Sequence, residues 1–268
     1  MIELRANVTR AEWYRDFVPP TVLPEGMSES EWYDMAAPYV AHLVTIHPSA
    51  FPDALWRLSL PEKVATDSDE GTGSYEVGMT WAETDDGWAF DYCPLAGLDG
   101  AMAAKIGVQN EVVRYSLTLV NQSSESWKRT LVWLCFNHSL ARQYYQHRNY
   151  VFSGDTTILT PPDKWEKYSV KGRERNWWPD GGIAVTESLI TTVCRDSDGR
   201  EFSVGIGARE AMMVGQNPTW PCTDIGLLFG DVPAGAQATV DGAIYFVYGS
   251  PLDVLALYRK DFGPSSDA

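Results

Sequence analysis

Between residues 110 and 147 the chain alternates apolar and polar residues in two consecutive runs, and this pattern limits what it can fold into more than any other. Val112, Leu117 and Leu119, then Leu131, Trp133 and Cys135, interleave with polar residues. That is the period of a half-buried β-strand, not of a helix. Asn121-Gln122-Ser123-Ser124 supplies turn chemistry between the runs, so the two are expected to pair as a hairpin. The second run leads into His138, Arg142, Tyr144, Tyr145 and His147. These side chains titrate or hydrogen-bond, and they stand where a core strand leaves its sheet, a usual place for a site.

The same reading marks further strands over 74–83, 88–92, 183–195, 201–206, 211–214 and 237–248, separated by turns such as Asp85-Asp86-Gly87 and Val232-Pro233-Ala234-Gly235. Many short strands with few helices predict an all-β fold, a large antiparallel β-sandwich. The exception is Pro251–Phe262, where Leu252, Leu255, Tyr258 and Phe262 recur at helical spacing between an early Pro251 and a terminating Gly263-Pro264. A C-terminal helix docked on the sandwich follows. Residues 1–60 are broken by Pro19, Pro20, Pro24, Pro38, Pro48 and Pro52, so they read as an irregular N-terminal arm packed on the domain, with one helical turn over 29–36 capped by Ser28. Residues 61–268 then form the sandwich, and the whole makes a single structural domain.

At 268 residues the chain has core material for such a unit, and its 11 Trp and 13 Tyr suit either a wide inter-sheet core or stacking on flat ligand faces. The net charge of −15 repels phosphate backbones and anionic bilayers, so neither nucleic acid nor membrane is an expected partner. One basic segment interrupts it: Lys164, Lys167, Lys171, Arg173 and Arg175 lead into Asn176-Trp177-Trp178, either a solvated loop or a basic, aromatic rim for an acidic or hydroxylated ligand. Cys93, Cys135, Cys194 and Cys222 lack metal-site spacing, which argues against thiolate-bound zinc. No basic segment followed by an apolar one opens the chain, and a cytoplasmic location is expected. No glycine-rich phosphate loop or Gly-x-Ser-x-Gly elbow occurs, which sets aside nucleotide-dependent and serine-hydrolase chemistry.

The order alternating strand, Asn-containing turn, alternating strand, then Phe136-Asn137-His138-Ser139 resembles the central part of the aldose 1-epimerases (galactose mutarotases). Pro221-Cys222-Thr223-Asp224, then Phe229-Gly230-Asp231-Val232-Pro233-Ala234-Gly235 and a strand ending Tyr245-Phe246, is similar to that family's C-terminal pattern. The resemblance implies a galactose mutarotase-like supersandwich with its site on the concave face of a sheet. It also implies that His138 is the general acid, with Asp224 standing where the family carries a Glu base. Independently, opening a hemiacetal or abstracting a proton beside a uronate needs an acid and a base tuned around the working pH. His138, Tyr145, His147 and Asp224 are the catalytic candidates, and Asn137, Arg142, Tyr144, Arg148, Trp177 and Trp178 the substrate-binding ones. The expected ligand is a sugar or oligosaccharide. The expected protein is a carbohydrate-active epimerase or lyase, or alternatively a non-catalytic carbohydrate-binding sandwich. No cofactor is expected, with a divalent cation at His138 and His147 as the open alternative. The oligomeric state is not legible.

Overall fold

The computed structural model describes residues 1–7, 26, 28, 31, 43–66, 80–95, 97–141, 143–164, 166–171, 185–196, 198–217 and 221–263, His147 by its backbone alone. Two antiparallel sheets face each other. The first has seven strands, in the spatial order β1 (Ile2–Arg5), β2 (Leu43–Pro48), β3 (Trp56–Ala65), β8 (Trp127–Asn137), β15 (Cys222–Val232), β14 (Ala211–Asn217) and β11 (Glu166–Ser169). The second has nine, in the order β10 (Thr156–Leu159), β9 (Tyr145–Ser153), β12 (Leu189–Arg195), β13 (Glu201–Ala208), β16 (Gln237–Val247), β7 (Val112–Asn121), β6 (Gly100–Gln109), β5 (Gly87–Pro94) and β4 (Ala82–Thr84). This is the expected large β-sandwich.

Period-two alternation builds the core between the sheets. From the nine-stranded sheet, Val113, Tyr115, Leu117 and Leu119 of β7 point inward, and from the other sheet Val132, Leu134 and Phe136 of β8 meet Ile225 and Leu227 of β15. β7 and β8 are therefore not a hairpin. β7 pairs with β6 and β16, whereas β8 pairs with β3 and β15, and the segment between them crosses from one sheet to the other. Alternation alone cannot separate these outcomes, because both strands would bury one face either way. The crossing is fixed by the fully buried Asn121, whose Nδ2 donates to the carbonyls of Glu125 and Val232 and whose Oδ1 accepts from Ser123 N.

The described part of the first sixty residues also differs from an irregular arm. β1, β2 and the start of β3 form one side of the seven-stranded sheet, and Trp56 and Leu58 are fully buried. Pro48 closes β2 and Pro52 lies in the turn after it, whereas Pro19, Pro20, Pro24 and Pro38 lie outside the described residues. Ser28 and Glu31 do exchange capping hydrogen bonds: Glu31 N donates to Ser28 Oγ and Ser28 N to Glu31 Oε2. The remainder of 29–36 lies outside the described residues, as does most of the strand expected over 74–83.

The helix α1 (Pro251–Phe262) is where the sequence puts it, with Pro251 in its first turn and Gly263 ending it. It packs on the outer face of the nine-stranded sheet through Val254, Leu255 and Tyr258, while Leu252 turns to solvent. Two strand glycines permit this contact. A Cβ at Gly205 would sit 2.6 Å from Val254 Cγ1, and one at Gly207 would sit 2.8 Å from Tyr258 Cδ2. Arg259 adds a link to the half-turned sheet end, bonding Glu187 Oε1 at 2.6 Å and Asp155 Oδ1 at 2.5 Å.

Candidate functional site

The Asn137-His138-Ser139 motif closes β8 as a side-chain-capped turn. Asn137 Oδ1 accepts from Ser139 N at 2.8 Å and from Ser139 Oγ at 2.5 Å, which bends the chain into the 3-10 turn Ser139–Ala141. His138 turns inward and is fully buried. Trp56 Nε1 donates to its Nδ1 at 3.1 Å, and its Nε2 lies 3.3 Å from Thr223 Oγ1. An indole N–H can only donate, so Nδ1 bears the lone pair and Nε2 the proton that goes to Thr223. The ring stacks on Tyr145, with centroids 5.0 Å apart and planes at 9°. With both nitrogens engaged, His138 presents neither a free proton to a ligand nor a lone pair to a metal.

Tyr145 belongs to the same buried polar seam between the sheets. Its hydroxyl accepts from Asn149 Nδ2 at 3.0 Å, Asn149 also donates to Gln216, and Thr192 Oγ1 donates to Asn149 Oδ1 at 2.6 Å. Thr160 closes the network on Gln216. Burial pushes the Tyr145 phenol far above its ordinary range, so it is no base. Tyr144 is buried against Phe51, ring edge to ring face at 5.5 Å. Arg148 forms a half-exposed ion pair with Glu201 at 2.6 Å. Arg142, Trp177, Trp178 and the His147 side chain lie outside the described residues.

Asp224 takes the other face. Its neighbours Thr223 and Ile225 point into the core, so Asp224 points away from it. His138 and Asp224 therefore stand on opposite sides of one sheet and cannot reach the same small ligand. What the register places around Asp224 is a different set. One row runs across four strands, with Lys167 opposite Gly215, Gly215 opposite Asp224, and Asp224 opposite Cys135. The next row on that face carries Trp133, opposite Lys63. Gly215 keeps the row open, since a Cβ there would sit 3.2 Å from Lys167 Cγ. Lys167 Nζ lies 4.6 Å from the Trp133 ring centroid, a cation–π contact.

Glu62 enters through an irregularity of β3. Ser59 is opposite Cys135 and Lys63 opposite Trp133, so β3 spends two extra residues over this stretch. Such a bulge re-aims side chains, and here it brings Glu62 into the field of Asp224, Lys167 and Lys63. Burial raises the Asp224 carboxyl to about 6, against the hydrogen bond from Cys222 and the charge of Lys167. Burial, then the charge of Asp224, raises Glu62 to about 7. Burial pulls the Lys167 ammonium down, opposed by both carboxylates. The contact with Cys222 lowers the Cys135 thiol, but burial and the carboxylates outweigh it and leave Cys135 at about 12. The contact with Cys135 and burial push Cys222 well above a normal thiol. Both are thus thiols at neutral pH, and Cys222 Sγ donates to Asp224 Oδ1 at 3.2 Å.

This face combines carboxylates poised near neutrality, ammonium groups and an indole, with Glu62, Lys63, Cys135 and Lys167 partly exposed. Of the sequence candidates it contains Asp224, with Asn137 on the same face of β8. Glu62, Lys63, Trp133 and Lys167 were not singled out as site residues. Lys167 was visible in the basic segment and Trp133 in the alternating run, but Glu62 follows a proline in a stretch of the expected sandwich over which the sequence marks no strand.

No protein-family model matches the sequence, and no curated protein matches it. Among solved structures it is similar to a galactose mutarotase related enzyme from Lactobacillus acidophilus, at 11% identity and a TM-score of 0.42, covering 79% of this chain and 89% of that one. It is also similar to the Slr1438 protein from Synechocystis sp. PCC 6803, at 7% identity and a TM-score of 0.41, covering 73% and 78%. A likeness at these identities and TM-scores fixes no activity.

Proposed function

We propose that the protein is a carbohydrate-active enzyme that works by general acid/base catalysis on a sugar or uronate, with Glu62 and Asp224 as the exchanging pair. The observation that carries this reading is the convergence of these two carboxylates beside Trp133 on one partly exposed sheet face. An acid and a base must both reach one ring, and this face holds two carboxyls raised toward neutral pH, Asp224 by burial and Glu62 by burial and the charge of Asp224. In the singly protonated pair, one carboxyl donates to a ring or hydroxyl oxygen while the other accepts a proton from substrate. Trp133, buried with Lys167 over its ring, holds that ammonium beside the carboxyls. Lys63 and Lys167 supply positive charge for an oxyanion or a uronate carboxylate.

The test is a panel of neutral sugars and uronates, followed by NMR for anomeric exchange and by absorbance for unsaturated products. Glu62→Gln and Asp224→Asn are each expected to lower kcat by roughly 10²- to 10⁴-fold, the span of general acid/base effects. Turnover unaffected by both substitutions would overturn the assignment of the pair. Binding by the unaltered protein with no turnover of any member would assign the face to a non-catalytic sugar-binding sandwich instead.

A further inference from the structure

We propose that Cys135, Cys222 and Asp224 form a site for a thiophilic divalent cation of the zinc class, with solvent as the fourth ligand. The two sulfurs and a carboxylate oxygen all lie within 4.8 Å of one another. Sheet geometry makes this convergence: Cys222 and Asp224 are two apart on β15 and so share a face, and Cys135 is the direct cross-strand partner of Asp224. Three ligands thus come from two hydrogen-bonded strands, which hold them without help from a loop. Two sulfurs with a carboxylate oxygen suit a tetrahedral, borderline-soft ion and not magnesium or calcium, which take oxygen donors. Sequence spacing conceals the site because its cysteines lie on strands far apart in the chain.

A disulfide is the competing use of two close cysteines, and the register disfavours it. Cys222 is opposite Asn137, not Cys135, so the two cysteines are diagonal neighbours, about 7–8 Å apart with their Cβ atoms somewhat closer. A disulfide needs its Cβ atoms at about 3.5–4.5 Å. A metal ion bridges the longer gap. On binding, each thiol gives its proton to solvent and each sulfur its lone pair to the ion, and no electron changes hands. The partial exposure of Cys135 and Glu62 gives the ion and the protons a route. Lys63 and Lys167 offset the negative charge that two thiolates and the Asp224 carboxylate leave around a divalent ion. The site shares Asp224 with the acid/base pair but does not depend on that reading, because its evidence would be spectroscopic.

The experiment is a titration of the reduced, full-length protein with cobalt(II), followed by absorbance. One equivalent is expected to produce a thiolate-to-cobalt charge-transfer band and the intense visible bands of a tetrahedral ion. Cys135→Ser and Cys222→Ser should each weaken the charge-transfer band, Asp224→Asn should weaken binding while keeping the band, and Cys93→Ala, remote from the site, should change neither. Zinc should displace cobalt and raise the melting temperature of the unaltered protein but not of the cysteine variants. If the unaltered protein gives no charge-transfer band, the proposal fails whether or not the variants fold. A band that survives intact in both serine variants overturns it equally.

Discussion

His138 and Asp224 sit one strand apart at the same end of a sheet, and their different faces give them different chemistry. His138 joins the seam between the sheets, where Trp56 N–H and Thr223 hydroxyl hold one tautomer. Removing the ring leaves a buried indole donor and a hydroxyl without their partner, together with a cavity beside Tyr145. His138→Ala should therefore cost on the order of 2–4 kcal/mol of stability, read as a lower urea midpoint, while turnover per folded molecule stays unchanged. Equal stability with lost turnover would return His138 to the catalytic role that the family resemblance implies. The Asn137-His138-Ser139 motif was legible through the family resemblance, but the turn it makes was not. Nor was the direction of the His138 ring, since it depends on Trp56 and Thr223, which only the sheet pairing brings near. Asp224 was legible as a candidate; its partner Glu62 was not, because a bulge in β3 aims it.

The alternating strands were legible as elements, whereas their partners were set by the crossing after β7. Asn121 makes that crossing with four side-chain hydrogen bonds, to Glu125 and Val232 as donor and from the Ser123 amide and hydroxyl as acceptor. Asn121→Ala strips a buried junction of all of them and should cost about 2–3 kcal/mol, with amide exchange accelerated first in residues 122–126. A loss below a few tenths of that, with exchange unaltered, would show that the sheets set the crossing unaided. The helix makes a complementary case. Its own signals, Pro251 early and Gly263 at the end, fixed its limits, but its seat depends on β13 lacking side chains at Gly205 and Gly207. Gly207→Ala keeps an ordinary strand conformation and drives a methyl into Tyr258, so it should cost about 1–3 kcal/mol. Exchange protection should fall in Pro251–Phe262 and persist in the core strands. Uniform loss across the protein would mean that the helix and the sandwich unfold as one unit.

At the scale of the whole molecule, the inner faces of the sheets form an apolar core with a hydrogen-bonded polar seam, while one outer face retains two raised carboxyls and a depressed ammonium. A carboxyl whose folded pKa exceeds its unfolded value binds its proton more tightly in the folded state. Its contribution is fully present below the unfolded value, near 4, and is lost as pH rises through about 6 and about 7, the values of Asp224 and Glu62. With a chelator present to exclude cations, stability attributable to this face should therefore fall between about pH 4 and pH 7. Asp224→Asn removes one titration while its amide oxygen can still accept from Cys222, and Glu62→Gln removes the other. Each should raise the urea midpoint at pH 8 and leave it nearly unchanged at pH 4. Because part of the Glu62 shift comes from the charge of Asp224, the double variant should gain less than the sum of the single ones, by a coupling of about 0.5–3 kcal/mol. Two substitutions that stabilise the fold at pH 8 and abolish turnover are the signature of a site held against the stability of its scaffold. Additive gains would separate the two carboxyls electrostatically, and midpoints that climb from pH 4 to pH 7 in the unaltered protein but not in the double variant would reverse the sign and with it the pairing of Glu62 with Asp224.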